Sequence, residues 1–166
     1  MNARLICSLL FTVSTLFSQL ASAVEPGQTA PSFEVPAWKG ETASLKQYQG
    51  KVVLLDFWAS WCGPCRQSFP LFNQLYKELK EKDFVILAVN IDEDQKDALK
   101  FLEEVPVNFA IGFDPKGKIP ELYGLTGMPT SYVIGKNGKI AKIIEGFTPA
   151  ELVTIKKEVI QQLNTP

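Results

Sequence analysis

Residues 52–65 read VVLLDFWASWCGPC, and this stretch decides both the fold and the chemistry. Val52 to Trp58 is apolar along nearly its whole length, as in a strand at the centre of a sheet that helices cover on both faces. Two cysteines, Cys62 and Cys65, follow after a short connection. Their spacing places them on one face of the helix that we predict from residue 62 to about residue 80.

A cysteine in the first turn of a helix lies beside unpaired backbone N–H groups and the positive end of the helix dipole. Both favour the thiolate of Cys62 over the thiol, and the thiolate is the nucleophile. Cys65, one turn later, can reach the Cys62 sulfur and resolve a mixed disulfide. Pro64 has its φ angle already set for a helix start, and Gly63 leaves the approach to the sulfur open.

Three other readings of the cysteine pair are weaker. A zinc site needs two more Cys or His ligands, but the chain has no His and its only other cysteine is Cys7. A haem attachment site needs His after the second cysteine, where Arg66 stands. A structural bridge over so short a loop contributes little, because the chain-entropy effect grows with loop length. The pair therefore indicates redox chemistry without a metal or another cofactor.

Composition limits the class of protein. The 166 residues are 46% hydrophobic and carry a formal net charge of −1. A chain of this length can bury one substantial core, so we expect a single globular domain. The charge gives no reason to expect binding to nucleic acid or to an anionic membrane surface.

Residues 1–23 form a predicted signal peptide. Arg4 precedes an apolar run from Leu5 to Leu20, and Ala21-Ser22-Ala23 fits the small-x-small cleavage pattern. We expect cleavage after Ala23, removal of Cys7, and a mature domain of residues 24–166. The alternative is an uncleaved anchor in the inner membrane, although the run is short for a span of about 20 residues. An exported chain with one close cysteine pair favours disulfide exchange over a disulfide framework.

The rest of the chain alternates between strand and helix patterns. We predict an N-terminal hairpin from residues 31–35 and 41–45, strands at 84–91, 109–112, 130–134 and 139–145, and helices at 95–104, 118–123 and 149–163. The first strand-helix-strand unit predicts parallel pairing. Asn137-Gly138 between the last two strands predicts an antiparallel hairpin. The fold class is α/β, with a central mixed β-sheet flanked by helices.

The segment VVLLDFWASWCGPCRQ (52–67), together with Gly127-Met128-Pro129-Thr130, resembles the thioredoxin superfamily. The signal segment, the N-terminal hairpin and the long stretch from Asn90 to Gly127 resemble, more narrowly, its exported TlpA/ResA-like group. The resemblance implies a thioredoxin-like fold with a helix-containing insert before a cis-proline loop.

The resemblance also implies roles for the site residues. Cys62 would be the attacking thiolate and Cys65 the resolving thiol of a redox-active Cys62–Cys65 disulfide. Pro129 would be the cis-proline opposite this disulfide, whereas without the resemblance it reads as an ordinary turn proline before a strand. Met128 would offer its backbone N–H and C=O to a substrate strand.

The same likeness extends to the residues around the sulfurs. Trp61 would shield the disulfide and contact the partner protein. Gly63 and Pro64 would complete the substrate-binding surface between the two cysteines.

Two acids are candidates for proton transfer. Asp56 lies within the predicted central strand, where burial should raise its pKa and allow it to take the proton from Cys65. The alternative is a structural polar residue satisfied by backbone or water. Glu93 matches the place where ResA-like proteins carry an acid, although that group usually lacks the aspartate. A solvent-facing acidic loop is the alternative for Glu93.

These observations together predict a periplasmic thiol–disulfide oxidoreductase. The dipeptide Gly63-Pro64 is the thioredoxin dipeptide and implies a low potential, hence a reductase of protein disulfides. The resemblance implies a membrane electron donor of the DsbD/CcdA kind, clients such as apocytochrome c, and a role in cytochrome c maturation. We expect a monomer. The alternatives are a thiol peroxidase of the redoxin type and a binding module with an inert disulfide.

Overall fold

A computed structural model describes residues 23–165. The predicted signal peptide lies outside the described residues except for Ala23. Between residues 23 and 165, no helix is both long and apolar enough to cross a membrane. The elements follow one another as β1 (Glu34–Pro36), β2 (Thr42–Ser44), a 3₁₀ helix (Leu45–Tyr48), β3 (Val52–Trp58), α1 (Gly63–Leu79), β4 (Phe84–Asn90), α2 (Gln95–Glu104), β5 (Ala110–Phe113), α3 (Lys118–Tyr123), β6 (Thr130–Ile134), β7 (Ile140–Glu145) and α4 (Pro149–Leu163).

The main sheet has the strand order β5-β4-β3-β6-β7 in the described part of the chain. Strands β3, β4 and β5 are parallel, and β6 and β7 add two antiparallel pairings. The predicted α/β class with a mixed sheet is confirmed. Strand β3 lies at the centre and all seven of its residues are buried, which explains its nearly continuous apolar sequence.

The core has one apolar cluster on each face of the sheet. Leu54 and Trp58 of β3 point into the cluster that α1, α2 and α4 cover. Leu55 and Phe57 point to the opposite face, where α3 and the N-terminal hairpin pack. The assignment follows from the alternation of side chains along a strand.

The N-terminal hairpin is present but its strands are shorter than predicted. Strands β1 and β2 pair antiparallel, and a 3₁₀ helix over residues 45–48 begins at Leu45, the last residue of the predicted strand. The Ser44 N–H donates to Gln47 Oε1 at 3.2 Å, which favours the turn over a longer strand. The hairpin docks against β5, where a Cβ on Gly112 would lie 2.6 Å from Val35 Cγ2. Only glycine permits this close approach.

The predicted insert before the proline loop contains helix α2, as expected. Asp94 caps this helix, since its carboxylate accepts the Lys96 N–H at 2.9 Å. Phe101 of α2 packs against Trp58 and Phe69, with ring centroids 4.8 Å and 5.3 Å away. The insert is therefore part of the main core.

Phe69 of α1 joins the active-site helix to the sheet and the insert, so its truncation tests this packing. The side chain is fully buried and contacts Trp58, Phe101 and Phe109. We expect Phe69→Ala to lower the free energy of unfolding by about 3–5 kcal/mol, because the cavity removes aromatic contacts on several sides. Urea denaturation of the oxidised protein measures this. Val153→Ala, at a position 69% exposed, is the control and should change stability by less than about 0.5 kcal/mol.

Candidate active site

The two cysteines form a disulfide at the N-terminus of α1, with their Cα atoms 5.3 Å apart. Cys62 is the N-cap residue, and its sulfur accepts a hydrogen bond from the Cys65 N–H at 3.3 Å. Cys62 keeps 4% of its surface exposed, whereas Cys65 has none. Cys62 therefore lies at the N-terminal end of the helix and is slightly exposed to solvent, whereas Cys65 is fully buried.

The connection from β3 to α1 is short and hydrogen-bonded. The Cys62 N–H donates to the Ala59 carbonyl at 3.1 Å, which closes a turn directly before the helix. The Cys62 carbonyl accepts the N–H groups of Cys65 and Arg66 at 3.1 Å and 3.3 Å. These bonds begin the helical pattern at Gly63, so that the Cys62 sulfur occupies the place of a capping side chain.

An exposed rim surrounds the disulfide. Trp61 is 69% exposed, an unusually large value for an aromatic side chain. Gly63 and Pro64 are exposed as well, and a Cβ on Gly63 would meet no atom within 4 Å. One exposed indole ring and open space thus lie next to the two cysteines in the chain.

The proline loop lies at the edge of the sheet from which the disulfide helix starts. The peptide bond between Met128 and Pro129 is cis. Met128 is half-buried and packs against the apolar cluster that contains both cysteines, while Pro129 is buried. Thr130, the first residue of β6, pairs with Phe57 near the end of β3. The sheet therefore brings the loop to the edge from which α1 starts.

Asp56 is a fully buried acid under this edge. Alternation along β3 puts it on the face that α1 covers, where Cys65 is also buried. Its Oδ1 accepts the Ser131 hydroxyl at 2.6 Å, and its Oδ2 has no hydrogen-bond partner among the described residues. Burial raises the pKa of Asp56 to about 7, and the bond from Ser131 offsets a part of the shift.

Glu93 lies in the loop between β4 and α2. Because β3 and β4 are parallel, this loop is at the same edge of the sheet as the disulfide. The Glu93 side chain is exposed and forms no hydrogen bond or ion pair with the described residues. Its neighbour Asp92, in contrast, is buried and bonded to Ser60 in the turn that precedes Cys62.

Sequence reasoning missed Ser131 and Asp92. Ser131 is 75 residues from Asp56 and meets it only because β6 pairs antiparallel with β3. A small polar residue inside the strand that follows the proline loop was the available signal. For Asp92 no local signal separates it from the neighbouring acids in the sequence.

The sheet order, the disulfide at a helix N-terminus and a cis-proline at the same edge of the sheet define the thioredoxin-like class of thiol–disulfide oxidoreductases. A model of the AhpC/TSA family matches residues 26–143, and the chain belongs to this family. The chain is 37% identical over 158 residues to the thiol-disulfide oxidoreductase ResA of Geobacillus thermodenitrificans, covering 95% of this chain and 87% of that one. The ResA of Bacillus subtilis is 31% identical over 149 residues, covering 90% and 83%.

A solved structure gives the same result. It is a protein from Chlorobium tepidum provisionally named thiol:disulfide interchange protein DsbE, with a TM-score of 0.83 and 46% identity. The match covers 86% of this chain and all of the other. The expected thioredoxin-like fold and the activity class, thiol–disulfide oxidoreductase, are therefore confirmed.

The raised pKa of Asp56 has a consequence for stability. Between about pH 4 and pH 7 the folded state holds a proton on Asp56 that the unfolded state has lost, so the wild type should lose stability as pH rises through this window. The expected slope from this group is about 1.4 kcal/mol per pH unit. Asp56→Asn cannot titrate and should lack this component. Urea denaturation of both oxidised proteins at pH 4, 5, 6 and 7 measures it. The same slope in both would show that Asp56 has an ordinary pKa.

Proposed function

We propose that this chain is an exported reductase of protein disulfides, with a mature domain of residues 24–166 in the periplasm. The observation that carries the proposal is the asymmetry of the two sulfurs. The Cys62 sulfur accepts a helix N–H at 3.3 Å and is slightly exposed, while Cys65 is fully buried. An incoming disulfide therefore reaches Cys62 first, where the thiolate is stabilised.

The reaction balances as two exchanges. The Cys62 thiolate attacks one sulfur of the client disulfide, forms a mixed disulfide and releases the first client thiolate, which takes a proton. Cys65 then loses its proton and attacks the Cys62 sulfur, which releases the second client thiolate. Two electrons pass from the enzyme to the client, and the Cys62–Cys65 disulfide remains. A reductant of the membrane dithiol kind restores the starting state.

Asp56 is the acceptor for the Cys65 proton in this proposal. A pKa of about 7 lets a carboxylate take up and release a proton near neutral pH. Its free Oδ2 and its position on the face that buries Cys65 support the role. Glu93, exposed at the same edge, is the weaker second candidate, and it would act from the solvent side.

The client would bind along the exposed rim. Trp61 supplies apolar area, and Gly63 and Pro64 leave the sulfur open. Met128, held by the cis bond to Pro129, would pair its backbone with an extended client segment. Such main-chain pairing does not depend on the client's side chains and so fits a range of protein clients. The family resemblance suggests apocytochrome c, with its haem-site cysteines, as one of them.

The direction of electron flow depends on the potential of the cysteine pair. Gly63-Pro64 places the expected midpoint near that of thioredoxin, about −270 mV. Equilibration with glutathione and dithiothreitol buffers, read by Trp fluorescence, measures it. A midpoint above about −180 mV would make the chain an isomerase or oxidase. A disulfide that did not respond reversibly would instead support an inert bridge.

The assigned roles of the cysteines are tested by trapping. Cys65→Ala should accumulate mixed disulfides with clients in the periplasm, because nothing resolves the first exchange. Cys62→Ala is the matched control and should trap none. Diagonal electrophoresis of the two variants measures this. If wild type reduces insulin while Cys65→Ala traps no client, the assignment is wrong.

The same assay tests Asp56. An Asp56→Asn chain that keeps both cysteines should hold a larger fraction of mixed disulfide than wild type, because loss of the Cys65 proton is slowed. Glu93→Gln in parallel shows whether the exposed acid shares the role. If Asp56→Asn holds the same fraction of mixed disulfide as the wild type, Asp56 is a structural residue and does not accept the Cys65 proton.

A further inference from the structure

A buried carboxylate holds the turn that leads into the disulfide, residues 59–61, hereafter the 59–61 turn. Asp92 is 4% exposed and points at this turn from the loop after β4. Its two oxygens accept the Ser60 N–H at 3.2 Å and 2.9 Å, and Oδ1 also accepts the Ser60 hydroxyl at 3.0 Å. Asp92 therefore holds the turn through both the backbone and the side chain of Ser60.

The side chain of Asn90 holds the Asp92 carboxylate in place. Its amide N–H donates to Asp92 Oδ2 at 2.7 Å, and its Oδ1 accepts the Asp92 N–H at 3.1 Å. Asn90 is itself 1% exposed and is the last residue of β4, paired with Trp58 in the parallel register. The Ile91 N–H donates to the Trp58 carbonyl at 3.0 Å, which extends this pairing by one residue. Asp92 is thus held by a residue of β4, the strand next to the central strand β3.

The 59–61 turn determines where the Cys62 sulfur lies. Ala59 accepts the Cys62 N–H, and Ser60 is the residue that Asp92 holds. A shift of the turn would move the N-cap sulfur relative to the Cys65 N–H, 3.3 Å away, and would also move Trp61 on the rim.

We propose that Asp92 is a positioning residue, which keeps the Cys62 sulfur on the N-terminus of α1 and Trp61 on the docking rim by fixing the 59–61 turn. The inference rests on the proposed function, in which Cys62 is the attacking sulfur. It adds a residue that acts through Ser60 and does not touch the client.

An amide can replace this carboxylate but a methyl group cannot. Three donor groups meet Asp92: the Ser60 N–H, the Ser60 hydroxyl and the Asn90 amide. In Asp92→Asn the carbonyl oxygen can keep the Ser60 N–H and the Asn90 amide, and the new N–H group can donate to the Ser60 oxygen, because a hydroxyl also accepts. Asp92→Ala leaves all three donors without their acceptor.

Position and charge make opposite predictions for Cys62. If Asp92 acts by position, only Asp92→Ala weakens the N–H contact of the sulfur, and the pKa of the Cys62 thiol rises. If it acts as a nearby negative charge, both variants remove a group that disfavours the thiolate, and the pKa of Cys62 falls in both.

The experiment measures the pKa of Cys62 in the reduced, full-length chain from the pH dependence of its alkylation by iodoacetamide. Peptide mass mapping separates the label on Cys62 from that on Cys65 and Cys7. We expect a raised pKa and insulin reduction slower by about tenfold or more in Asp92→Ala, as for small misplacements of a reacting group. Asp92→Asn should keep the wild-type pKa and most of the rate.

Asp94→Ala is the matched control. Asp94 lies two residues away but caps α2 through the Lys96 N–H, so its loss disturbs the same loop without releasing Ser60. The pKa of Cys62 should stay at the wild-type value in this variant. A pKa that falls in Asp92→Ala and Asp92→Asn, or that stays unchanged in Asp92→Ala, overturns the proposal.

Ser60→Ala covers the case in which Asp92→Ala does not fold. It removes only the hydroxyl donor and keeps the backbone N–H, so the pKa of Cys62 should rise by less than in a full loss of Asp92. An unchanged pKa in a folded Ser60→Ala chain would then overturn the proposal. A wild type that failed to reduce insulin would contradict the proposed function alone, because the alkylation measurement does not depend on turnover.

Discussion

The chemistry of this protein depends on a short connection between a fully buried central strand and a helix that begins at Gly63. Strand β3 is buried on both faces, and α1 is fixed to it through Phe69 and its aromatic neighbours. The helix starts at Gly63, so Cys62 is the N-cap and its sulfur accepts a hydrogen bond from the Cys65 N–H in the first turn. A longer or looser connection would leave the same two cysteines without the helix end that favours a thiolate.

The central strand contains two buried polar atoms whose burial lowers the stability of the fold. Asp56 and Trp58 are neighbours on the same face of β3, and Asp56 Oδ2 and Trp58 Nε1 have no hydrogen-bond partner among the described residues. Burying a polar atom without a partner costs about 1–3 kcal/mol. Leucine at position 56 would suit the surrounding core better. Departures from local packing rules are typical of functional positions, and this one places an acid on the face of the sheet where Cys65 is buried.

Local patterns were sufficient to predict the helices and the strands of the main sheet, because apolar periodicity and capping residues act over a few residues. The run from Val52 to Trp58 and the helix over residues 95–104 both agree with the structure. The site needed longer-range information. Ser131 meets Asp56 only through the pairing of β6 with β3.

The acidic loop after β4 shows a second limit of prediction from sequence. The resemblance drew attention to Glu93, but the structure buries Asp92 and exposes Glu93. Periodicity gives no rule for side-chain direction once a strand has ended. The positions of Ser60 on the neighbouring connection and of Asn90 at the end of β4 decide which of these acids meets hydrogen-bond donors.

The insert, the least specific part of the family resemblance, proves to support the site. Phe101 of α2 packs into the core, and Arg66, directly after Cys65, lies over its ring at 4.6 Å. Asp94 caps the start of the same helix. The loop over residues 91–94 is consequently held at both ends, by β4 before it and by α2 after it. The carboxylate of Asp92 is fixed from the β4 side, through Asn90, so the contact with Ser60 does not depend on the cap that Asp94 gives to α2.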